Sequence, residues 1–202
     1  MKIIAVEHLT LDGVYQSPGA QSEDPRGGFK WGGWAGPSND EVMGKKMAEG
    51  MAAGGALLFG RRTYEKFYGY WPNRKDGNPF TDVLNKIPKY VASRTLKAPL
   101  PWSNSTLLEG DVAEAVARLK QKPGKDMAVL GSGELCQTLL RHNLLDELLL
   151  MIHPVVLGEG LRFFPQGIPS GKLQLVEVKP TTTGVLLATY RPAGAVVVGT
   201  LL

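Results

Sequence analysis

A chain of 202 residues with 43% hydrophobic and 21% charged side chains is long enough to bury one full core and too short for two comfortable domains. Its formal charge of +4 comes from Lys and Arg scattered singly and in pairs, which argues against a nucleic-acid partner. The lone cysteine, Cys136, excludes an internal disulfide and a multi-cysteine zinc site; its apolar helical surroundings predict a small buried hydrophobe.

Residues 2–7 read as a first apolar strand. Only Ile3, Ile4, Ala5 and Val6 separate Lys2 from Glu7 and His8, too short a run for a signal peptide, so the cytoplasm is the expected location. Leu9-Thr10-Leu11-Asp12-Gly13 follows, with Asp12 either shaping an Asp-Gly turn or serving as an acid. Residues 16–38 are irregular, rich in Gly and Pro, and hold Trp31 and Trp34. Such large rings in a long loop point to a substrate-covering role, with local packing as the plainer reading. A helix is predicted over residues 40–53, where Met43, Met47 and Met51 form one stripe suited to core packing, or less simply to a lid. Asp40 and Glu41 at its start are further candidate acids, Asp40 also being a natural N-cap.

The strand predicted at 56–59 runs into Gly60-Arg61-Arg62-Thr63 and a helix. Main-chain NH groups, a hydroxyl and two guanidinium groups there make an anion site. The strand at 89–93 ends similarly, in Ser93-Arg94-Thr95. A strand at 106–109 precedes a helix that Asp111 caps, with Glu114 three positions on and Val112, Val116 and Leu119 as its apolar face. The strand at 127–130 enters Gly131-Ser132-Gly133-Glu134, whose glycines let a pyrophosphate approach the backbone at the start of a helix over 133–142. After a strand at 147–153, two more at 172–178 and 185–191 have no helix between them and read as an antiparallel hairpin. Residues 1–192 therefore form one domain. The apolar tail at 193–202 is shorter than the roughly 20 residues of a membrane span, and is a flexible tail, an extra edge strand or a subunit contact.

Strands alternating with single helices predict an α/β three-layer αβα sandwich on a mainly parallel sheet. In such a sheet the three anion-binding turns share the carboxyl edge, where ligands bind. Two arginine-bearing turns and one glycine turn suit a dinucleotide with an extra 2′-phosphate, so NADPH is the expected cofactor. The ordinary Rossmann fingerprint, a P-loop and a Gly-x-Ser-x-Gly elbow are all absent. The histidines at 8, 142 and 153 have no metal-ligand spacing, so no metal is expected.

Taken in order, Leu9-Thr10-Leu11-Asp12-Gly13, Gly60-Arg61-Arg62-Thr63-Tyr64, Lys89-Tyr90-Val91-Ala92-Ser93-Arg94-Thr95, Leu130-Gly131-Ser132-Gly133 and the segment 154–164 resemble the dihydrofolate reductase superfamily. The likeness is greatest to stand-alone bacterial proteins resembling the reductase domain of the riboflavin-biosynthesis deaminase–reductase, and it spans about residues 2–192. It implies an eight-stranded dihydrofolate reductase-like sheet, often in a homodimer. It also implies an NADPH site made of Gly60, Arg61, Arg62 and Thr63, of Ser93, Arg94 and Thr95, and of Gly131, Ser132, Gly133, Glu134 and Leu135. That superfamily's substrate carboxylate lies early in the first long helix, where Asp40 or Glu41 is the nearest match. The zinc-deaminase signatures of the bifunctional enzyme do not occur.

The expected activity is hydride transfer from NADPH to a small pterin- or pyrimidine-like heterocycle. Asp12 would sit near the reacting centre, Asp40 or Glu41 would orient or protonate substrate, and Trp31, Trp34 and Tyr64 would line its pocket. A riboflavin-pathway reductase of a ribosylamino-pyrimidine is one alternative. A binding protein that kept the fold without turnover is the other.

Overall fold

The computed structural model describes residues 1–200. In chain order its elements are β1 (Ile3–Thr10), α1 (Glu41–Ala53), β2 (Ala56–Gly60), α2 (Arg61–Tyr70), α3 (Pro79–Lys86), β3 (Lys89–Ala92), β4 (Ser105–Leu108), α4 (Val112–Lys120), β5 (Met127–Leu130), α5 (Gly133–Arg141), β6 (Glu147–His153), β7 (Leu173–Pro180) and β8 (Leu186–Pro192). They build one eight-stranded sheet in the order β4-β3-β2-β5-β1-β6-β8-β7. The first six strands of that order are parallel, whereas β8 runs antiparallel to β6 and β7 antiparallel to β8. This is the three-layer α/β architecture that the alternation predicts.

The central strands are largely apolar because helices cover both their faces, Glu7, His8 and Thr10 of β1 being exceptions. On one face Ile3, Ala5 and Leu9 of β1 pack with Val116 and Leu119 of α4 and with Leu135, Cys136 and Leu139 of α5. On the other, Val6 joins Leu57 and Phe59 of β2, Met43 and Met51 of α1, Tyr64 of α2 and Leu84 of α3. Two of the helix starts are fixed as their sequences require. Asp111 accepts hydrogen bonds from the amides of Ala113 and Glu114, and Asp40 accepts one from the amide of Met43.

Some boundaries differ from expectation. β1 continues three residues past Glu7, because Leu9 and Thr10 remain in register with Ile152 and His153 of β6. Helix α3 was not foreseen, although Asn78 caps it and Pro79 occupies its first turn, a combination that marks helix starts. The tail adds no strand over residues 193–200, and its Val197 and Val198 are exposed; Leu201 and Leu202 lie outside the described residues. Strand β7 leaves Leu175, Val176 and Val178 exposed. Among the described residues no helix is long and apolar enough to cross a membrane.

Candidate functional site

Residues from the carboxyl ends of β1, β2, β3 and β5 line one cavity of about 1090 Å³. Small-molecule pockets run to roughly 300–1,000 Å³, so this volume has room for a dinucleotide and a second small molecule. Every residue of the three expected anion-binding turns lines it: Gly60 to Thr63, Ser93 to Thr95, and Gly131 to Leu135. Strands β3, β2 and β5 are neighbours in the sheet, which brings together turns that are far apart in the chain.

The first and third turns are also tied to each other. The Ser132 hydroxyl accepts a hydrogen bond from the Gly60 amide at 2.9 Å and donates one to Thr63 Oγ1 at 2.8 Å. Ser132 does so in a left-handed conformation, φ 67°, directly after Gly131 at φ 62°. Two consecutive left-handed residues turn the chain sharply from β5 into α5, and the first is the residue type that adopts this conformation without steric cost. Helices α2 and α5 both start at this wall of the cavity, so their positive ends favour an anion there. The three arginines differ in readiness. Arg61 pairs with Glu65 at 2.8 Å and Arg62 with Glu134 at 3.3 Å, whereas Arg94 has no ion pair among the described residues. A cradle of two helix starts, hydroxyls and a guanidinium suits a phosphorylated dinucleotide.

Asp12, Asp40 and Glu41, the acids expected at the reacting centre, do not line this cavity. Asp12 does not line the cavity: its carboxylate accepts from Thr10 Oγ1 and from the amides of Leu157 and Gly158, and it pairs with Arg162 at 3.4 Å. Burial pushes its pKa up, but these hydrogen bonds outweigh that and hold the carboxyl below its ordinary value. Its task is to anchor the end of β1 to the 155–162 segment. Asp40 is held at about 2 by the Thr182 hydroxyl and the Met43 amide, and it ties α1 to the β7–β8 turn. Glu41 is exposed and lies outside the cavity wall.

The aromatic expectations also need correcting. Trp31 is exposed and donates to Glu159, and Trp34 donates to the Gln16 carbonyl. Tyr64 is buried in the core, its hydroxyl accepting from the Trp102 amide. None of the three lines the cavity; the Tyr, Phe and Trp rings that do are Tyr15, Phe67, Trp71 and Phe80. The loop that carries the tryptophans nevertheless closes over the site through Gln16, Ser17 and Arg26, and Arg26 bridges Asp24 to Glu134 at the start of α5. Met43 and Met47 join the apolar wall, so the methionine stripe of α1 serves both core and cavity.

Five acids do line the cavity, and four of them are occupied. Glu23 caps the amides of Gly19 and Ala20, Asp24 holds Arg26, Asp111 caps α4, and Glu134 holds Arg26 and Arg62. The fifth is Glu7, 3% exposed on central strand β1, whose Oε1 accepts from the Cys136 thiol at 3.5 Å. Burial pushes its carboxyl up to about 8, so it holds its proton at neutral pH. A signal was present in the sequence: after Ile3 and Ala5, position 7 is the next inward-facing position of the strand.

The histidines also come together. His8 and His153, at the ends of adjacent strands, place Nδ1 of the first 2.9 Å from Nε2 of the second. Burial, joined at His8 by the neighbouring ring, lowers both to about 4. Among the described residues no group of His, Cys, Asp and Glu is placed to hold a metal ion.

These three groups predict how stability depends on pH. The unfolded carboxyl titrates at 4.5, so the advantage of a protonated Glu7 is complete below that pH and is lost as the pH rises toward 8. The unfolded imidazoles titrate at 6.5, so the histidine contribution is complete above that pH and is lost as the pH falls toward 4. Melting temperature is therefore expected to peak near pH 6.5, with Glu7→Gln flattening the decline on the alkaline side. Calorimetric scans from pH 4 to 9 check this; an equal alkaline decline in both proteins contradicts it.

The comparisons with known proteins agree with this fold. Uncharacterized protein YyaP of Bacillus subtilis (strain 168) is 31% identical over 137 residues, covering 66% of this chain and 72% of that one. A Shewanella sp. PV-4 protein, named provisionally for riboflavin biosynthesis, shares the fold with a TM-score of 0.70 at 21% identity, over 96% of this chain and 99% of that one. Dihydrofolate reductase from Enterococcus faecalis, solved with NADP(H), shares it with a TM-score of 0.60 at 16% identity, over 95% and 96% of the two chains. The family model described as the RibD C-terminal domain matches residues 1–187, and the chain belongs to that family.

Proposed function

We propose that the protein is an NADPH-dependent reductase of a small pterin- or pyrimidine-like heterocycle. The observation that carries this reading is the set of three turns at one sheet edge, two of them locked together through Ser132. Membership of the RibD C-terminal domain family supports a reductase, and NADP(H) in the Enterococcus dihydrofolate reductase supports the cofactor. Bound in the cradle, NADPH would supply a hydride. The chain's own part is to hold the phosphates at the helix starts and to seat the heterocycle against Met43, Met47, Phe67 and Trp71. It also keeps a proton on Glu7 for the substrate heteroatom that gains charge as its carbon accepts the hydride. Solvent then returns a proton to Glu7. A homodimer fits the same reading, since a second copy would cover the apolar residues that β7 exposes.

The test is cofactor choice. NADPH is expected to bind at least about tenfold more tightly than NADH, because Arg94 is free to pair with the 2′-phosphate. Arg94→Ala should remove most of that preference, since a charge-assisted hydrogen bond contributes about 1.5–3 kcal/mol and roughly 1.4 kcal/mol is a factor of ten. Equal calorimetric affinities of the wild-type protein for the two cofactors would sink the assignment.

A further inference from the structure

The cavity wall carries one histidine, His8, paired with His153 outside the wall, and the cofactor cradle uses the chemistry of neither. His153 is fully buried at the end of β6, and Trp34 stands edge-on to it with ring centroids 5.2 Å apart. Its Nε2 lies 2.9 Å from His8 Nδ1, while its Nδ1 is buried with no hydrogen-bond partner among the described residues. A nitrogen–nitrogen contact this short holds one proton, so one ring donates and the other accepts.

The orphaned nitrogen decides which. If His8 donated, neutral His153 would carry its proton on Nδ1, facing no acceptor. Buried N–H groups without an acceptor are rarer in proteins than underused acceptors. The favoured arrangement therefore has His153 Nε2–H donating to His8 Nδ1, which leaves the proton of neutral His8 on Nε2. His8 lines the cavity, and its Nε2 makes no hydrogen bond among the described residues.

We propose that His8, positioned by His153, is the hydrogen-bond donor that recognises the substrate through a neutral acceptor, a ring carbonyl or imine nitrogen. This rests on the reductase reading and narrows it. A ring pair kept uncharged by burial offers direction without positive charge, so it selects an uncharged heterocycle over one bearing a carboxylate there. A neutral imidazole is also too weak an acid to give up its N–H, so His8 binds and orients while the proton stays with Glu7.

Two measurements on the full chain test the proposal. In long-range ¹H–¹⁵N spectra at pH 7, His8 and His153 are both expected to be neutral and protonated on Nε2; protonation of His8 on Nδ1 overturns it. The probe for binding is lumazine, a fluorescent uncharged pteridine dione, titrated into protein saturated with NADP⁺. His8→Phe is expected to weaken lumazine about tenfold or more, as the loss of a buried hydrogen bond does. His153→Phe, which frees the His8 ring, should weaken it less but clearly. His153→Gln should restore it to within about threefold, because the amide NH₂ can donate to His8 Nδ1. Unchanged affinity in His8→Phe, or no lumazine binding by the wild-type protein, overturns the substrate class. Failure of the reductase reading would look different: NADPH would neither bind nor be oxidised, while the tautomer spectra stayed as expected.

Discussion

Gly133→Val is expected to weaken NADPH binding by about two orders of magnitude while the chain stays folded. A Cβ built on Gly133 would lie 2.5 Å from Cε2 and 2.6 Å from Cζ of Tyr15, closer than real contacts allow. The Tyr15 ring is held edge-on by Phe163, with centroids 6.4 Å apart, and it also lines the cavity. The ring must therefore yield toward the space the cofactor needs. Overpacking of this kind costs typically 1–3 kcal/mol, and at this place the cost falls on binding. Glycine is needed at 133 for the neighbouring ring, a different reason from the close backbone approach to pyrophosphate that its sequence context suggests. Tyr15→Ala added to Gly133→Val should return much of the affinity. Calorimetric titration of NADPH against both variants, with melting curves as the folding control, checks it. Normal binding by the single variant would show that the turn tolerates bulk.

Glu7→Gln is expected to lower the rate of NADPH oxidation by a factor of order 10² or more, in the range for loss of a positioned acid, with NADPH affinity unchanged. The substrate for this assay is whichever pterin or pyrimidine a screen by NADPH absorbance selects. Gln keeps the shape and still accepts from the Cys136 thiol, so the variant isolates the missing proton. Asp12→Asn is the informative contrast. Its carboxylate secures the 155–162 segment, so the variant should melt earlier and turn over substrate at close to the normal rate. The reverse pattern, with Asp12→Asn inactive and Glu7→Gln active, would return the chemistry to the Asp-Gly turn.

What the sequence revealed divides by the range of the interactions. All eight strands were legible as short runs rich in apolar residues, although the end of β1 was not. The three anion-binding turns were legible because hydroxyls, glycines and arginines at strand ends carry meaning locally. The placement of the acids was not legible, for the opposite reason. The partners that commit Asp12 lie 145 and 146 positions away, and the Thr182 that commits Asp40 lies 142 away. The pairing of His8 with His153 likewise depends on β1 lying beside β6, which no local pattern announces. Trp31 and Trp34 drew attention by size, yet the loop around them supplies the cavity with Gln16, Ser17 and Arg26 instead.

The order of strands in the sheet also bears on how the molecule assembles. Among the described residues strand β1, earliest in the chain, pairs with β5 and β6, so Ile3 meets Met127 and Ile4 meets Glu147. During synthesis the future centre of the sheet must therefore wait, unpaired, until most of the chain has emerged. Contacts of such long sequence separation are slow to form, and a waiting apolar strand is open to wrong partners. The Gly60 and Ser132 turns close on each other only when β5 docks between β1 and β2. No early fragment of this chain brings the three turns together, so any ligand held by them can stabilise only the finished sheet.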